Sequence, residues 1–275
     1  MILLSATIHA SWNFFTKKSL ANKIVTLWFG WLIAGAIMTP VSLLFTQTES
    51  ISSDWVPYIV LTTFVHAMYV YLLGWSYTLG EMSLAYPIAR GIGVLFTVII
   101  VVFTGMEVVS PNGVLGIFAL VLGIVLIAIK RIRDLEKRNA MKVAALVGCC
   151  TAFYTIIDKI SITYIPPFFY ISVMFLCTSL SLLPIMLLRL RTHTLVVFRS
   201  HKRYCAMIGL LSLFAYLLIL FALQKSPTPY VAAVREISIV FGSILGICYL
   251  KEERNKRKLI GIATILLGAI IIKTA

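Results

Sequence analysis

Arg90 and Arg235 each stand inside a long apolar run, and Glu236 directly follows the second of them. An arginine inside a spanning helix costs at least about 2.5–3.5 kcal/mol on insertion scales, so both must face protein or water. Two such cations suit an anionic or zwitterionic ligand; packing against carbonyls or a carboxylate is the bland alternative. Successive helix positions lie about 100° apart, so Glu236 need not pair with Arg235 and can instead meet Arg90 from another helix. A buried carboxylate tends to take a proton unless it is paired, which makes Glu236 the candidate for proton coupling, with a static ion pair as the alternative.

Other polar and aromatic residues extend this set. His9, Trp12 and Asn13 near the N-terminus, with Tyr154, Thr155 and Asp158 in mid-chain, are expected to wall a cavity. His66, Tyr69, Tyr71, Trp75 and Tyr86 add hydrogen-bonding rings. Trp55, Tyr58 and Tyr77 fall near the ends of apolar runs and read as interfacial aromatics. Glu107 and Glu252 follow apolar runs and read as caps on the helices after them, favoured by free N–H groups and the helix dipole. His193 and His201 sit among basic residues and read as solvated.

The elements that must position these residues are membrane spans. With 60% hydrophobic residues, 12% charged and a mean hydropathy of +1.00, the 275-residue chain lies outside the soluble range. Its net charge of +14 is gathered in short clusters between apolar runs, which argues for loop charge and against nucleic-acid binding. The five cysteines follow no ligand or disulfide spacing, and neither a metal nor a cofactor is expected. There is no P-loop, HExxH or GxSxG motif, so an enzyme or an ATP-driven pump is not indicated. Ten spans are expected: 2–16, 24–45, 56–76, 84–104, 114–129, 143–157, 169–188, 205–223, 230–250 and 259–272. Of the 24 lysines and arginines, 19 fall in loops after odd-numbered spans, against Lys159 and Lys225 after even-numbered ones. The positive-inside rule therefore puts both termini outside.

Two segments, from Ala85 and from Tyr230, repeat the same marks at a constant offset of 145. Arg90 matches Arg235, Phe96 matches Phe241, Glu107 matches Glu252, and Gly116 and Gly123 match Gly261 and Gly268. Trp12, Lys17 and Ser19 likewise match Tyr154, Lys159 and Ser161. The chain thus divides into a first five-helix unit over 1–130, a basic linker at 131–140 and a second unit over 141–275. An odd number of spans per unit turns the second copy upside down, and the neutral loop at Glu107 against the basic loop at Glu252 agrees. The expected fold is all-α, with ten transmembrane helices in two inverted-topology repeats, a usual signature of transporters. With about 1.5 Å rise per residue, each arginine would lie some 8–9 Å inside its helix entrance, at opposite ends of one pathway. Gly242 and Gly246 have GxxxG spacing, which suits helix packing and also allows a homodimer. Pro87, three residues before Arg90, can interrupt its helix beside a cavity.

In HASWNFFTKKS at the first span, AYPIARG, YVAAVREISIVFGSILG and the Glu-plus-basic loop before Gly261 and Gly268, the chain resembles the EamA family of ten-helix permeases in the drug/metabolite transporter superfamily. That resemblance implies a secondary transporter of a small polar or amphipathic metabolite in the cytoplasmic (inner) membrane. Its cavity would be lined by the first four helices of each half. Arg90, Arg235, Glu236, Trp12, Asn13, Tyr86, His66, Tyr69 and Tyr154 are the residues expected to bind or gate substrate. A non-transporting membrane scaffold and a flippase of a lipid-linked head group are the alternatives.

Overall fold

The computed structural model describes residues 1–46, 53–106, 110–128, 135–252 and 255–274. The first half supplies α1 (Ile2–Lys18), α2 (Lys23–Phe45), α3 (Val56–Leu79), α4 (Met82–Phe103) and α5 (Pro111–Ala128). The second supplies α6 (Leu135–Ser161), α7 (Pro167–Leu188), α8 (Arg191–Ser200), α9 (Lys202–Lys225), α10 (Thr228–Arg235), α11 (Ile237–Tyr249) and α12 (Lys256–Thr274). Among the described residues there is no strand, and α2, α3, α4, α6, α7 and α9 are long and apolar enough to cross a membrane.

Two departures from the expected spans have physical causes. The ninth span is broken where Arg235 ends α10 and Glu236 precedes α11; Ile239 N–H bonds the Glu236 carbonyl three residues back, a slip out of the α-helical ladder. The basic loop after the seventh span carries the short helix α8. Its Val197 is buried and Phe198 meets Phe29 of α2 edge-on at 5.6 Å, while Leu195, Val196, Arg191 and Arg199 are exposed. That mixture is the pattern of a helix lying in a membrane interface. The expected linker is partly helical, since α6 begins at Leu135; residues 131–134 lie outside the described residues.

Helix ends are tied by long-range side chains. Lys17 Nζ donates to the carbonyls of Tyr77 (2.7 Å) and Gly80 (2.6 Å), neutralising the C-terminus of α3. Its matched residue Lys159 does the same for α9, donating to Leu223 O and to Ser226 O. Glu252 caps a helix, as expected, but in the other half: its carboxylate accepts from the N–H groups of Met82 (2.6 Å) and Ser83 (2.7 Å) at the start of α4. Glu107 lies outside the described residues.

Packing between the halves follows one pattern. α1 lies against α9 and α11, just as the corresponding α6 lies against α3 and α4; α2 meets α7, and α5 meets α12. Along α5 and α12, Gly116 touches Gly268 and Gly123 touches Gly261, so the two helices run antiparallel. A methyl group at any of these four glycines would come within 2.8 Å of a facing carbonyl oxygen. Elsewhere α2 and α9 approach until a Cβ at Gly209 would sit 1.9 Å from the Gly30 carbonyl. Between α3 and α7 an apolar groove of about 560 Å³ remains, lined by Phe64, Met68 and Ile185 among others.

Candidate functional site

Arg90 on α4 and the Arg235–Glu236 pair at the α10–α11 break meet at the centre of the bundle. Arg90 Nη2 donates to Glu236 Oε1 at 2.6 Å, so the contact anticipated between the halves is present. Both partners are buried, as is Arg235. Arg235 lies over the Tyr216 ring at 5.5 Å, a cation–π arrangement that is strongest when desolvated.

The two arginines are not at opposite ends of a pathway. They line the same small cavity together with Glu236, Thr97, Thr151 and Thr155. The helices start earlier than the apolar pattern suggests, at Met82 and Thr228. That places each guanidinium-bearing residue roughly 11–12 Å along its helix, deeper than the apolar pattern suggests.

A second cavity abuts the first, and Arg235 lines both. Its walls are largely aromatic: His9, Trp12, Trp31, Tyr69, Tyr154 and Tyr216, with His66 and Ser212. His66 stacks on Tyr154 with centroids 4.3 Å apart, and Trp31 stacks on Phe175 at 4.1 Å. Each cavity has a volume of about 10 Å³, room for about one water. The site is therefore closed in this conformation.

Several polar atoms here are buried without a hydrogen-bond partner: Arg90 Nε, Arg235 Nε, Glu236 Oε2, Trp12 Nε1 and Trp31 Nε1, together with the nearby Tyr86 hydroxyl. Unmet groups of this kind are rare in folded proteins and each costs about 1–3 kcal/mol, so a cluster on one pair of cavities needs an explanation.

Of the residues expected from sequence, Arg90, Arg235, Glu236, Trp12, His66, Tyr69 and Tyr154 line these cavities. Tyr86 lies beside them, its ring 6.1 Å from that of His9 and packed on Gly242. Asn13 does not line them: its amide donates to His9 O and its Oδ1 accepts from Tyr77 at 2.6 Å, so it joins α1 to α3. Tyr77 is accordingly fully buried, not an interfacial ring. Trp75 is exposed on the outer face and Tyr71 lines the α3–α7 groove, because both point away from the face that carries His66 and Tyr69. Trp31, Ser212 and Tyr216 were missed by the sequence reading. Ser212 and Tyr216 are polar residues four apart on one face of an apolar helix, a usable signal; Trp31 had none.

Residues 139–274 match the EamA-like transporter family. The second half of the chain is thus similar to that family, and the chain is a multi-pass membrane protein. A protein known by crystal structure shares the fold with a TM-score of 0.61 at 15% identity, covering 99% of this chain and 94% of that one. No curated protein matches the sequence.

Proposed function

We propose that the chain is a secondary transporter of a small anionic or zwitterionic metabolite, such as an amino acid, working by alternating access in the cytoplasmic (inner) membrane. The observation that carries this reading is the cluster of unpartnered polar atoms on Arg90, Arg235, Glu236, Trp12 and Trp31 around two joined, closed cavities. A scaffold would have no use for them. Arg235 Nε and Arg90 Nε are suited to a carboxylate, Glu236 Oε2 to an ammonium group, and the rings of Trp12, Tyr69 and Tyr154 to an apolar body.

We read the architecture as ten crossings in two inverted five-helix repeats. The exchange pattern of the helix contacts supports this, since α1 with α9 corresponds to α6 with α3, and α1 with α11 to α6 with α4. The antiparallel glycine contact of α5 with α12 supports the inversion: equivalent helices related by a two-fold run antiparallel only when the axis lies across them, in the membrane plane. Loop charge then favours both termini outside. The apolar α3–α7 groove favours a second reading, movement of a lipid-linked head group with its chain in the groove.

The test is a thermal-stability screen of purified protein against amino acids, organic phosphates and lipid-linked sugars, followed by transport in proteoliposomes. Arg235→Ala is expected to reduce uptake of the stabilising compound at least about tenfold, the loss of roughly one charged hydrogen bond. Full transport by the folded variant would remove the substrate role from Arg235, and stabilisation by lipid-linked compounds alone would favour the second reading.

A further inference from the structure

One buried carboxylate takes no part in the site as described. Asp158 on α6 is fully buried. Its Oδ1 accepts from Thr62 Oγ1 on α3 (2.7 Å) and from the Tyr170 hydroxyl on α7, and its Oδ2 accepts from the Tyr216 hydroxyl on α9. These donors are all neutral. No lysine or arginine among the described residues forms an ion pair with it; the ionisable nitrogen nearest its Oδ2 is His66 Nε2, at 3.8 Å.

The tautomer of His66 follows from its other nitrogen. Nδ1 lies 2.9 Å from Thr62 Oγ1, whose one hydrogen goes to Asp158, and 3.1 Å from the Thr62 carbonyl oxygen; both can only accept from it, so Nδ1 carries the hydrogen. In the neutral ring Nε2 is then a bare lone pair beside a carboxylate, two acceptors with no hydrogen between them. One proton added at Nε2 makes a histidinium facing Asp158.

Charge accounting links this vacancy to the substrate cavity. Arg90 and Glu236 form one pair. That leaves Arg235 and Asp158, which are joined through Tyr216: its hydroxyl is on the carboxylate and its ring lies under the guanidinium. An anionic group that takes Arg235 leaves Asp158 without this cation, and His66 lines the same cavity as Arg235. In a low-dielectric interior such a separation of charge is expensive, and a proton on His66 removes it. The remaining ionisable groups facing the pair are Tyr154, stacked on His66, and Tyr69, edge-on at 6.3 Å. His9, across the cavity, has both Trp12 and Tyr86 as ring neighbours and no carboxylate contact.

We propose that His66 and Asp158 form the proton-coupling site of the transporter, with His66 Nε2 binding one proton as a substrate carboxylate engages Arg235. The assignment rests on the transport reading above and moves coupling away from Glu236, which is committed to Arg90. The proton adds to the ring lone pair from the aqueous side to which the cavity opens and leaves with the substrate, so one proton accompanies one carboxylate.

Two measurements on the full chain in lipid test it. In ¹⁵N-histidine-labelled protein, with the His66 signal assigned by its loss in His66→Gln, the ring is expected to pass from the Nδ1–H form to the doubly protonated form as the pH is lowered. Asp158→Asn is expected to lower the ratio of the doubly protonated to the neutral form at least about tenfold at a given pH, as loss of an adjacent opposite charge requires. A His66 ring that stays neutral throughout, or that is indifferent to Asp158→Asn in a variant of normal melting temperature, overturns the proposal. In proteoliposomes containing a pH-sensitive dye, a mixture of the common L-amino acids is the probe. Uptake by the natural protein is expected to acidify the lumen by about one proton per labelled amino acid taken up, and His66→Gln is expected to lower that ratio whatever its own rate of uptake. An unchanged ratio in His66→Gln overturns the coupling role. No uptake by the natural protein counts against the amino-acid transport reading and leaves the protonation of His66 to be judged by its resonance.

Discussion

Lys17 and Lys159 close the ends of α3 and α9 in the same way, and Gly116 and Gly123 meet Gly268 and Gly261, each touching the match of the other. Arg90 and Arg235, matched just as well in sequence, do different things. Arg90 is held by Glu236, while Arg235 lies on Tyr216 and faces both cavities. The difference comes from one residue. The position equivalent to Glu236 is Gly91, which packs on Ile124 and offers Arg235 no carboxylate. Residues matched in sequence thus act alike where backbone and helix ends are concerned, and differ where a single side chain decides the charge balance.

The sharpest way to break the comparison is to remove each arginine. Arg90→Ala strands Glu236 in the interior and is expected to lower unfolding stability by about 3–5 kcal/mol, with Arg90→Met/Glu236→Met recovering most of it. Arg235→Ala is expected to cost only about 2 kcal/mol, its desolvated cation–π contact. Equal losses by denaturant titration in mild detergent would mean that the two arginines are structurally equivalent after all. The matched glycines test the opposite side of the comparison. Gly116→Val and Gly261→Val should each cost about 1–3 kcal/mol by overpacking and agree closely with one another; disagreement beyond experimental error would deny their equivalence. Smallest are the helix-end cations: Lys17→Met and Lys159→Met should each lower stability by about 0.3–1 kcal/mol, again alike.

Much of this was legible in the sequence because the informative residues are ones that apolar periodicity does not produce. Arginines and glycines at one offset singled out residues that the structure buries or brings into contact, and most helices fall where the apolar runs do. Depth was harder to read. An apolar window began at Leu84 and Tyr230, but polar Ser83 and Thr228 are already helical, since Glu252 caps α4 and Pro229 opens α10. The error of a few residues set the arginines at opposite ends of a pathway, whereas they line one cavity. Facing was harder still. Tyr69 and Tyr71 differ by about 200° around α3, and sequence alone did not say which looked inward. Asn13 and Tyr77 show the same problem, as two polar residues that satisfy each other and need no ligand. Tyr170, which bonds the central carboxylate, lay near a span end and gave no sign of its burial.

The crossing of α5 and α12 has a further consequence. Each helix presents the same residues to the other, as in the isologous contact of a symmetric dimer. Such a surface is self-complementary, so it needs no covalent connection to find its partner; the chain between the halves only raises their effective concentration. Residues 1–130 and 131–275, produced together as separate polypeptides, should therefore associate in the membrane.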